Sequence, residues 1–297
     1  MPSVENEDET NIKLPTETMI VIADSGSTKC NWQLVDGGTV RRVQSRGINA
    51  VLQRPDEVEV LLAETFAEPV QAEALHFYGA GCGERYPDQS ARLQEVLARY
   101  FPAARIAVES DLTGAARALL GDRAGIACIL GTGSNSCYYD GVRIVRNTPP
   151  LGWILGDEGS GSYIGRQLVG NLLKGIYGES LRRLFFEEER LDYDEIIHRV
   201  YREGMANRFL ASFTRFVARH IDRPELDRLV REAFRAFVRR NLAHYPADAE
   251  VAALGGVACH FERQLRETLE AEGLHAGGIV ESPDEGLLNY HIWNRSE

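Results

Sequence analysis

The stretch MIVIADSGSTKCNWQLVDGG, residues 19–38, decides the fold that we expect for this chain. It opens with an apolar run, passes through the small polar residues 24–29, and continues as a second apolar run that ends at the turn residues 36–38. Apolar runs bounded by turn residues predict two strands joined by a tight polar loop. The alternative interpretation is an ordinary hairpin with a polar tip, because hairpin turns favour the same residue types.

The polar loop has the composition of a phosphate-binding loop. Its backbone N–H groups can point at phosphate oxygens without interference, and its hydroxyl and ammonium groups add further donors. The residues assigned to phosphate binding are Asp24, Gly26, Ser27, Thr28 and Lys29. Asp24 stands at the end of the first strand and is also the candidate ligand of a water-bound Mg²⁺, since hard cations take oxygen ligands.

The second half of the chain repeats this plan. Residues 126–141, IACILGTGSNSCYYDG, again contain an apolar strand, a loop of glycines and small hydroxyls, a strand with aromatic residues and an Asp-Gly turn. Two such loops facing each other would bind a polyphosphate from both sides, so the repetition is more informative than either loop alone. The residues assigned in this second loop are Gly131, Thr132, Gly133 and Ser134. Coincidence is the alternative, because strand–turn–strand units are common.

Length and composition restrict the class of protein. The 297 residues are enough for two domains, and 44% hydrophobic with 26% charged residues is typical of a globular protein. A formal net charge of −11 argues against nucleic acid as the main partner, but not against a small phosphorylated ligand. No apolar run approaches the length of a membrane span, and the acidic N-terminus lacks the features of a secretory signal. Five scattered cysteines favour a reduced, cytoplasmic protein.

The order of predicted elements indicates an α/β protein. Residues 1–17 are polar and acidic and predict a disordered tail. Strands, helices and glycine-rich loops then alternate as in α/β domains, and amphipathic helices fill residues 178–245. A glycine-rich loop is expected to lead into a helix at about 158–173, and the pair Gly255-Gly256 lies between a strand at 251–254 and a helix at 257–270. A strand followed by glycines and a helix N-terminus lets a nucleotide approach the backbone.

Several known signatures are absent from the sequence. It contains no G-x-x-x-x-G-K-[ST] phosphate loop, no G-x-G-x-x-G dinucleotide fingerprint after a strand, and no zinc spacing of histidines.

Four motifs, taken in order, resemble a known family. They are residues 24–29, 130–135, 152–160 and 255–258, and the block GWILGDEGS is the most specific. The chain resembles the BadF/BadG/BcrA/BcrD-type ATPases of the actin-like, hexokinase-like ATPase superfamily, and within them the N-acetylglucosamine kinases. The resemblance implies two ribonuclease-H-like domains, residues 18–120 and 121–297, which close over a central cleft, with the helices of 178–245 as an addition to the second.

The resemblance also implies roles for single residues. Asp111 corresponds to the catalytic base, and Gly255 with Gly256 to the adenosine motif. Positions associated with the sugar are Asn49, Gly81, Trp153 and Asp157. Each of three has an alternative role: Asp111 as a helix N-cap, Asp157 as a turn residue, and Trp153 as a core aromatic. The loop 79–83 reads GAGCG where related animal kinases carry Ser-Gly-Gly-Asp, so a sugar-contacting hydroxyl is missing there.

These observations predict an ATP- and Mg²⁺-dependent amino-sugar kinase that phosphorylates the 6-hydroxyl of N-acetylglucosamine or a close relative. One alternative within the family is an ATPase that activates an acyl-CoA dehydratase or reductase through an iron–sulfur cluster. Cys82 lies in a suitable loop for it, but no second cysteine matches. Another alternative is a non-catalytic sensor of sugar or nucleotide. The expected partners are ATP and the amino sugar, with a homodimer as one option for assembly.

Overall fold

The computed structural model describes residues 19–26 and 28–293. The predicted tail at residues 1–17 and the phosphate-loop residue Ser27 lie outside the described residues. The chain divides into two compact units, residues 1–114 and 115–297, and each contains one five-stranded sheet. The division falls within helix Asp111–Leu120, whereas the predicted boundary followed residue 120.

The sheet of unit 1 combines a meander with two parallel strands. Its spatial order is β3-β2-β1-β4-β5; β2 pairs antiparallel with β1 and β3, while β1, β4 and β5 are parallel. The strands are β1 (Ile20–Ser25), β2 (Lys29–Asp36), β3 (Thr39–Arg46), β4 (Ala74–Gly79) and β5 (Arg105–Ser110), and the helices are α1 (Pro55–Thr65), α2 (Pro87–Tyr100) and α3 (Asp111–Leu120). Ser25, Gly79 and Ser110 pair in one row at the ends of the parallel strands. The segments that follow these three strands therefore leave from the same edge of the sheet.

An aromatic cluster forms the core of unit 1. Trp32 on β2 is fully buried and stacks on Phe101 with ring centroids 6.0 Å apart. The edge of Phe66 meets the Trp32 ring at 5.2 Å. Phe66 follows α1 and Phe101 follows α2, so this contact fixes both helices on the β1–β2 hairpin.

Unit 2 repeats the topology of unit 1. Its sheet has the order β10-β9-β6-β7-β8, in which β6 occupies the place of β1 and β7 that of β2. The strands are β6 (Gly125–Leu130), β7 (Ser134–Tyr139), β8 (Ile144–Thr148), β9 (Glu250–Leu254) and β10 (His275–Val280). The internal repetition predicted from the two loops is confirmed at the level of strand order and direction.

The helices of unit 2 pack beside this sheet around a second apolar core. They are α4 (Gly152–Leu155), α5 (Gly161–Leu173), α6 (Gly178–Glu189), α7 (Tyr193–Tyr201), α8 (Ala206–Ser212), α9 (Thr214–Arg219), α10 (Pro224–Phe237), α11 (Gly256–His260), α12 (Glu262–Ala271) and α13 (Asp284–Leu288), with π-helical turns at Val238–Leu242 and Asn289–Trp293. None of the helices in the described ranges combines the length and apolar character needed to cross a membrane.

Four details differ from the sequence-based expectations. The helix expected from about 158 begins at Gly161, because the Ser160 hydroxyl caps it by accepting the Tyr163 N–H at 3.2 Å. The single helix expected over 257–270 is two helices that meet at the buried Phe261. Strands β8 and β10 were not expected, because IVRNT is largely polar and HAGGIV contains two glycines, so neither has a clear apolar pattern.

Candidate active site

The first polar loop joins β1 to β2 as predicted. The Gly26 N–H donates to the Lys29 carbonyl at 3.1 Å, which closes the turn, and the side chains of Thr28 and Lys29 are exposed. Asp24 lies at the end of β1, opposite Asn31 of β2 and Tyr78 of β4, and is partly exposed. The described part of this loop thus presents one carboxylate, one ammonium and one hydroxyl at the strand ends.

Asn49 is held beside the loop that contains Gly81. The Ser25 hydroxyl accepts the Ile48 N–H at 2.7 Å and donates to the Ile48 carbonyl at 2.9 Å, which ties this segment to β1. Asn49 Oδ1 accepts backbone N–H groups of the turn that follows, at 3.0 and 3.2 Å. Gly81 has φ +75°, and a Cβ there would lie 2.8 Å from Asn49 Oδ1, so only glycine allows this approach. The Asn49 amide nitrogen donates to none of the described residues and is available to a ligand.

Asp111 opens α3, but it does not cap it. The Ser110 hydroxyl accepts the Thr113 N–H at 3.1 Å, which is the N-cap geometry, while Asp111 Oδ1 accepts the N–H of Leu112 at 2.8 Å. Over the described ranges, Asp111 Oδ2 accepts no hydrogen bond. Burial raises the pKa of the Asp111 carboxyl, against the opposing effect of the Leu112 N–H. A half-buried carboxylate with one oxygen uncommitted is suited to accept a proton.

The loop 79–83 brings Gly81 and Asp111 into one site. A Cβ on Gly83, at φ +91°, would lie 3.1 Å from the Ser110 nitrogen, so this loop packs directly on the start of α3. Cys82 between the two glycines is buried, and burial followed by the nearby Asp111 carboxylate raises the pKa of its thiol to about 12. The Cys82 thiol is therefore protonated at neutral pH in the metal-free protein.

The second polar loop is fixed against the N-terminus of α5. The Gly131 N–H donates to the Gly133 carbonyl at 3.0 Å, and the Gly161 N–H donates to the Gly131 carbonyl at 2.8 Å. Gly255 has φ +119°, and any Cβ there would overlap the Leu130 carbonyl oxygen. The second phosphate motif and the adenosine motif, 120 residues apart in the chain, are thus in direct contact.

The Ser134 hydroxyl in this loop is buried and has no hydrogen-bond partner among residues 19–26 and 28–293. A buried hydroxyl without a partner is costly, and a ligand oxygen would satisfy it. This orphaned hydroxyl lies in the same loop as Gly131, where an added Cβ would meet no described atom within 4 Å, and it fits a bound phosphate.

A cavity of about 330 Å³ opens beside the second loop. Its volume lies at the lower end of the range for small-molecule sites. The lining residues are Gly131, Thr132, Gly161, Ala211, Thr214, Arg215, Gly256, Val257, His260 and Phe261. Gly131, Thr132 and Gly256 were assigned from the sequence. The residues from α8 and α9 were missed, because they lie in amphipathic helices whose pattern reports only core packing.

Asp157 lies against the second loop. Its side chain is 8% exposed, Oδ1 accepts the Ser134 N–H at 3.4 Å, and a Cβ on Gly133 would lie 3.1 Å from Oδ2. The pKa of Asp157 is raised to about 6, chiefly by burial and to a smaller extent by the neighbouring Glu158, against the lowering effects of the Ser134 N–H and of Arg166. The structure thus places Asp157 in direct contact with the second loop.

Trp153 lies on α4 and packs, half-buried, against the core of unit 2. Its carbonyl accepts the Arg166 guanidinium N–H at 2.6 Å. At least part of the Trp153 indole therefore packs in the core of unit 2, as expected from the alternative role of Trp153 as a core aromatic.

Mg²⁺ is the metal that the family implies. The described ranges contain no group of three or more His, Cys, Asp or Glu side chains arranged to hold a metal ion. The end of β1 offers one partly exposed carboxylate, which fits Mg²⁺ in a kinase, because that ion is usually held by one or two carboxylates together with substrate phosphates and water. Asp24 would supply the carboxylate.

The chain was compared with known family models, curated proteins and solved structures, and only the solved structures match it. No known family model and no curated protein matches it. A structure of a proposed N-acetylglucosamine kinase from Porphyromonas gingivalis is 42% identical over 93% of this chain and all of that one, with a TM-score of 0.87. A proposed N-acetylglucosamine kinase from Chromobacterium violaceum shares the fold at 20% identity, covering 93% and 99% of the two chains, with a TM-score of 0.72.

The repeated sheets and their polar hairpin loops define the two-domain, actin-like or hexokinase-like ATPase fold, which confirms the predicted fold class. Within it, the chain belongs to the N-acetylglucosamine kinase-like family.

Proposed function

We propose that this protein is an ATP-dependent amino-sugar kinase that transfers the γ-phosphoryl group of ATP to the 6-hydroxyl of N-acetylglucosamine or a close relative. The observation that carries the proposal is the 42% identity, along the full length, to a protein that is itself a proposed N-acetylglucosamine kinase. The organisation of the candidate site supports it, because each unit supplies residues with distinct tasks.

Asp111 acts as the general base in this proposal. The oxygen of the sugar 6-hydroxyl forms a bond to the γ-phosphorus, the bond from that phosphorus to the bridging oxygen of ADP breaks, and the hydroxyl proton passes to Asp111. The uncommitted Oδ2 and the raised pKa of Asp111 support this role, since Ser110 already performs the capping task.

Unit 2 binds the nucleotide in this proposal. The cavity beside Gly131 and Gly256 takes the nucleoside, and the loop from Gly131 to Ser134 donates to the phosphates. In unit 1 the exposed Thr28 and Lys29 add donors to the phosphates. Asp24 holds Mg²⁺, which when bound neutralises charge on the phosphate oxygens.

The sugar is bound through its hydroxyl groups. The Asn49 amide nitrogen donates to one of them, the Asp157 carboxylate accepts from another, and Gly81 lets the Asn49 side chain pack against its own loop. Trp153 lines an apolar face of the sugar with the part of its ring that the core does not cover. We further propose a cytoplasmic location for the protein and treat a homodimer as an open option.

The proposal is tested by ADP release with MgATP across N-acetylglucosamine, glucosamine, N-acetylmannosamine, N-acetylmuramic acid and glucose. One amino sugar should be turned over, and Asp111→Asn should lower kcat by about 10²- to 10⁴-fold while sugar binding, measured by calorimetry, is kept.

The matched control is Asp192→Asn. Asp192 caps α7, away from the candidate site, and Asn can cap equally well, so turnover should not change. Slow ATP hydrolysis that no sugar stimulates would refute the kinase.

A further inference from the structure

Glu158 follows Asp157 within the block 152–160, but the motif assigns no role to its side chain. Its side chain is only 5% exposed, and both of its oxygens are engaged. The Arg240 guanidinium donates to Oε1 at 3.0 Å and the Asn241 amide donates to Oε2 at 3.3 Å. A buried carboxylate held in this way gains little net stability, because its desolvation cost offsets the ion pair. A role other than stability therefore has to be considered.

Both donors come from the π-helical turn Val238–Leu242, which directly continues α10. Single π-helical turns inside α-helical segments are frequent at functional sites. Gly159 packs on the same region: at φ +75°, its Cβ would lie 2.9 Å from Phe237 Cβ. The Asn241 carbonyl also accepts the Thr148 hydroxyl at 2.8 Å. The end of α10 and the π-helical turn that continues it thus contact Glu158, the following Gly159 and the end of β8.

The Asp157 carboxylate is weakly held, although its backbone is fixed: the Asp157 N–H donates to the Pro150 carbonyl at 2.9 Å, and the Asp157 carbonyl accepts the Ser160 N–H at 3.1 Å. The hydrogen bond from the Ser134 N–H is long, at 3.4 Å, and φ of Asp157 is +54°, a left-handed conformation that costs energy outside glycine. The charged groups that act on its carboxyl are Glu158 from its own loop and Arg166 from α5, and Arg240 neutralises Glu158 from the π-helical turn. Of the two neighbouring carboxylates, that of Glu158 is therefore held more firmly, by a hydrogen bond to each oxygen.

We propose that Glu158 is a positioning residue: clamped by Arg240 and Asn241, it fixes the Asp157 carboxylate against the Gly133–Ser134 loop for recognition of an amino-sugar hydroxyl. This inference rests on the proposed function. Burial is the main cause of the raised pKa of Asp157, and the negative charge of the adjoining Glu158 raises that pKa as well, an effect that Arg240 moderates.

Two variants should act on Asp157 with opposite signs. Glu158→Gln keeps an acceptor for the clamp but removes the negative charge, so the pKa of Asp157 should fall by about 0.5 unit or more. Arg240→Met leaves the Glu158 charge without its partner, so the pKa of Asp157 should rise. Arg240→Lys, which keeps the positive charge, should restore a value near that of the wild type.

The matched control is Arg239→Met. Arg239 is the next residue along, but its guanidinium pairs with Glu272 at 2.9 and 3.0 Å, so this change removes the same charge without touching the clamp. It should leave the titration of Asp157 unchanged.

The measurement is a carboxyl ¹³C NMR titration of the full chain, with the Asp157 signal assigned by Asp157→Asn, together with kinetics against pH. Glu158→Gln should raise KM for the amino sugar about tenfold, with kcat within threefold and KM for ATP unchanged. If the pKa of Asp157 shifts in the same direction in Glu158→Gln and Arg240→Met, or shifts in neither, the inference is overturned. A Glu158 side chain that only stabilises the fold would give that result. If the wild type phosphorylates no amino sugar, the proposed function fails, while the titration still decides the coupling.

Discussion

The Asp157 carboxyl, which we propose binds the sugar, lowers the stability of the folded protein when it is ionised. Its carboxyl is buried against Gly133 and Ser134, and burial raises its pKa from 3.8 to about 6. The folded state therefore binds this proton more tightly than the unfolded state does. The contribution of Asp157 to stability is complete below pH 4 and is lost as pH rises through about 6.

Asp157→Asn should for that reason stabilise the protein at pH 8 by up to about 3 kcal/mol, the equivalent of two pKa units. The gain should be small near pH 4, where the wild-type carboxyl is protonated in the folded state and only about half ionised in the unfolded state. Urea unfolding at the two pH values measures this. An equal difference at both would mean that charge is not the cause. The same variant should lose affinity for the amino sugar, as expected where a site is strained for function.

Asp111 illustrates a second residue-level point. Its position at the start of α3 is equally consistent with a cap and with a base, and the sequence does not separate the two. In the structure the preceding Ser110 is the cap, which leaves one oxygen of Asp111 free of protein partners in the described ranges. Asp111 is therefore not the cap of α3, and a capping role no longer competes with its proposed role as the general base.

At the scale of elements, the junction between β9 and α11 forms part of the proposed nucleotide site. Gly255 lets the chain pass over the end of β6 so closely that a methyl group would overlap the Leu130 carbonyl. The contact joins the adenosine motif to the second phosphate loop, so strain there should affect both fold and nucleotide binding.

We expect Gly255→Ala to cost about 2–4 kcal/mol of unfolding free energy, from overpacking added to an unfavourable φ of +119°. KM for ATP should rise as the loop is displaced. Gly278→Ala is the control: it lies on β10, where an added methyl group would meet no described atom within 4 Å, and it should change stability by less than about 0.5 kcal/mol. Chemical denaturation of both variants measures the difference, and equal stabilities would contradict the close approach.

At the scale of the whole molecule, the two units have the same sheet topology but distinct proposed tasks. The order β3-β2-β1-β4-β5 in unit 1 is matched by β8-β7-β6-β9-β10 in unit 2. Asn49, Gly81 and Asp111 belong to unit 1, whereas the 330 Å³ cavity and Asp157 belong to unit 2.

Hydrogen exchange should resolve this division of tasks. MgATP should slow amide exchange around Gly131–Ser134, in the α8–α9 segment that lines the cavity, and at α11, because bound ligand opposes local opening. The amino sugar should instead protect the turn after Asn49 and the loop 79–83. Protection of the same segments by both ligands would argue against the assignment, and glucose 1-phosphate at equal concentration controls for unspecific anion binding.

The sequence by itself determined the repeated strand–loop–strand plan, the positions of the two polar loops and the place of Asp111 at a helix start. These features depend on local physics: apolar runs form strands, and glycines with small hydroxyls form tight turns, whatever lies elsewhere. Strands β8 and β10 were missed because their residues do not carry that local signal.

Only the tertiary structure decided which groups meet. It brought Gly255 onto Leu130, Asp157 onto the Gly133–Ser134 loop and Arg240 onto Glu158, which is 82 residues away. It also completed the cavity with residues from α8 and α9. Such contacts arise because burying apolar faces packs distant elements together, and buried charges then take whichever partners the packing brings within reach.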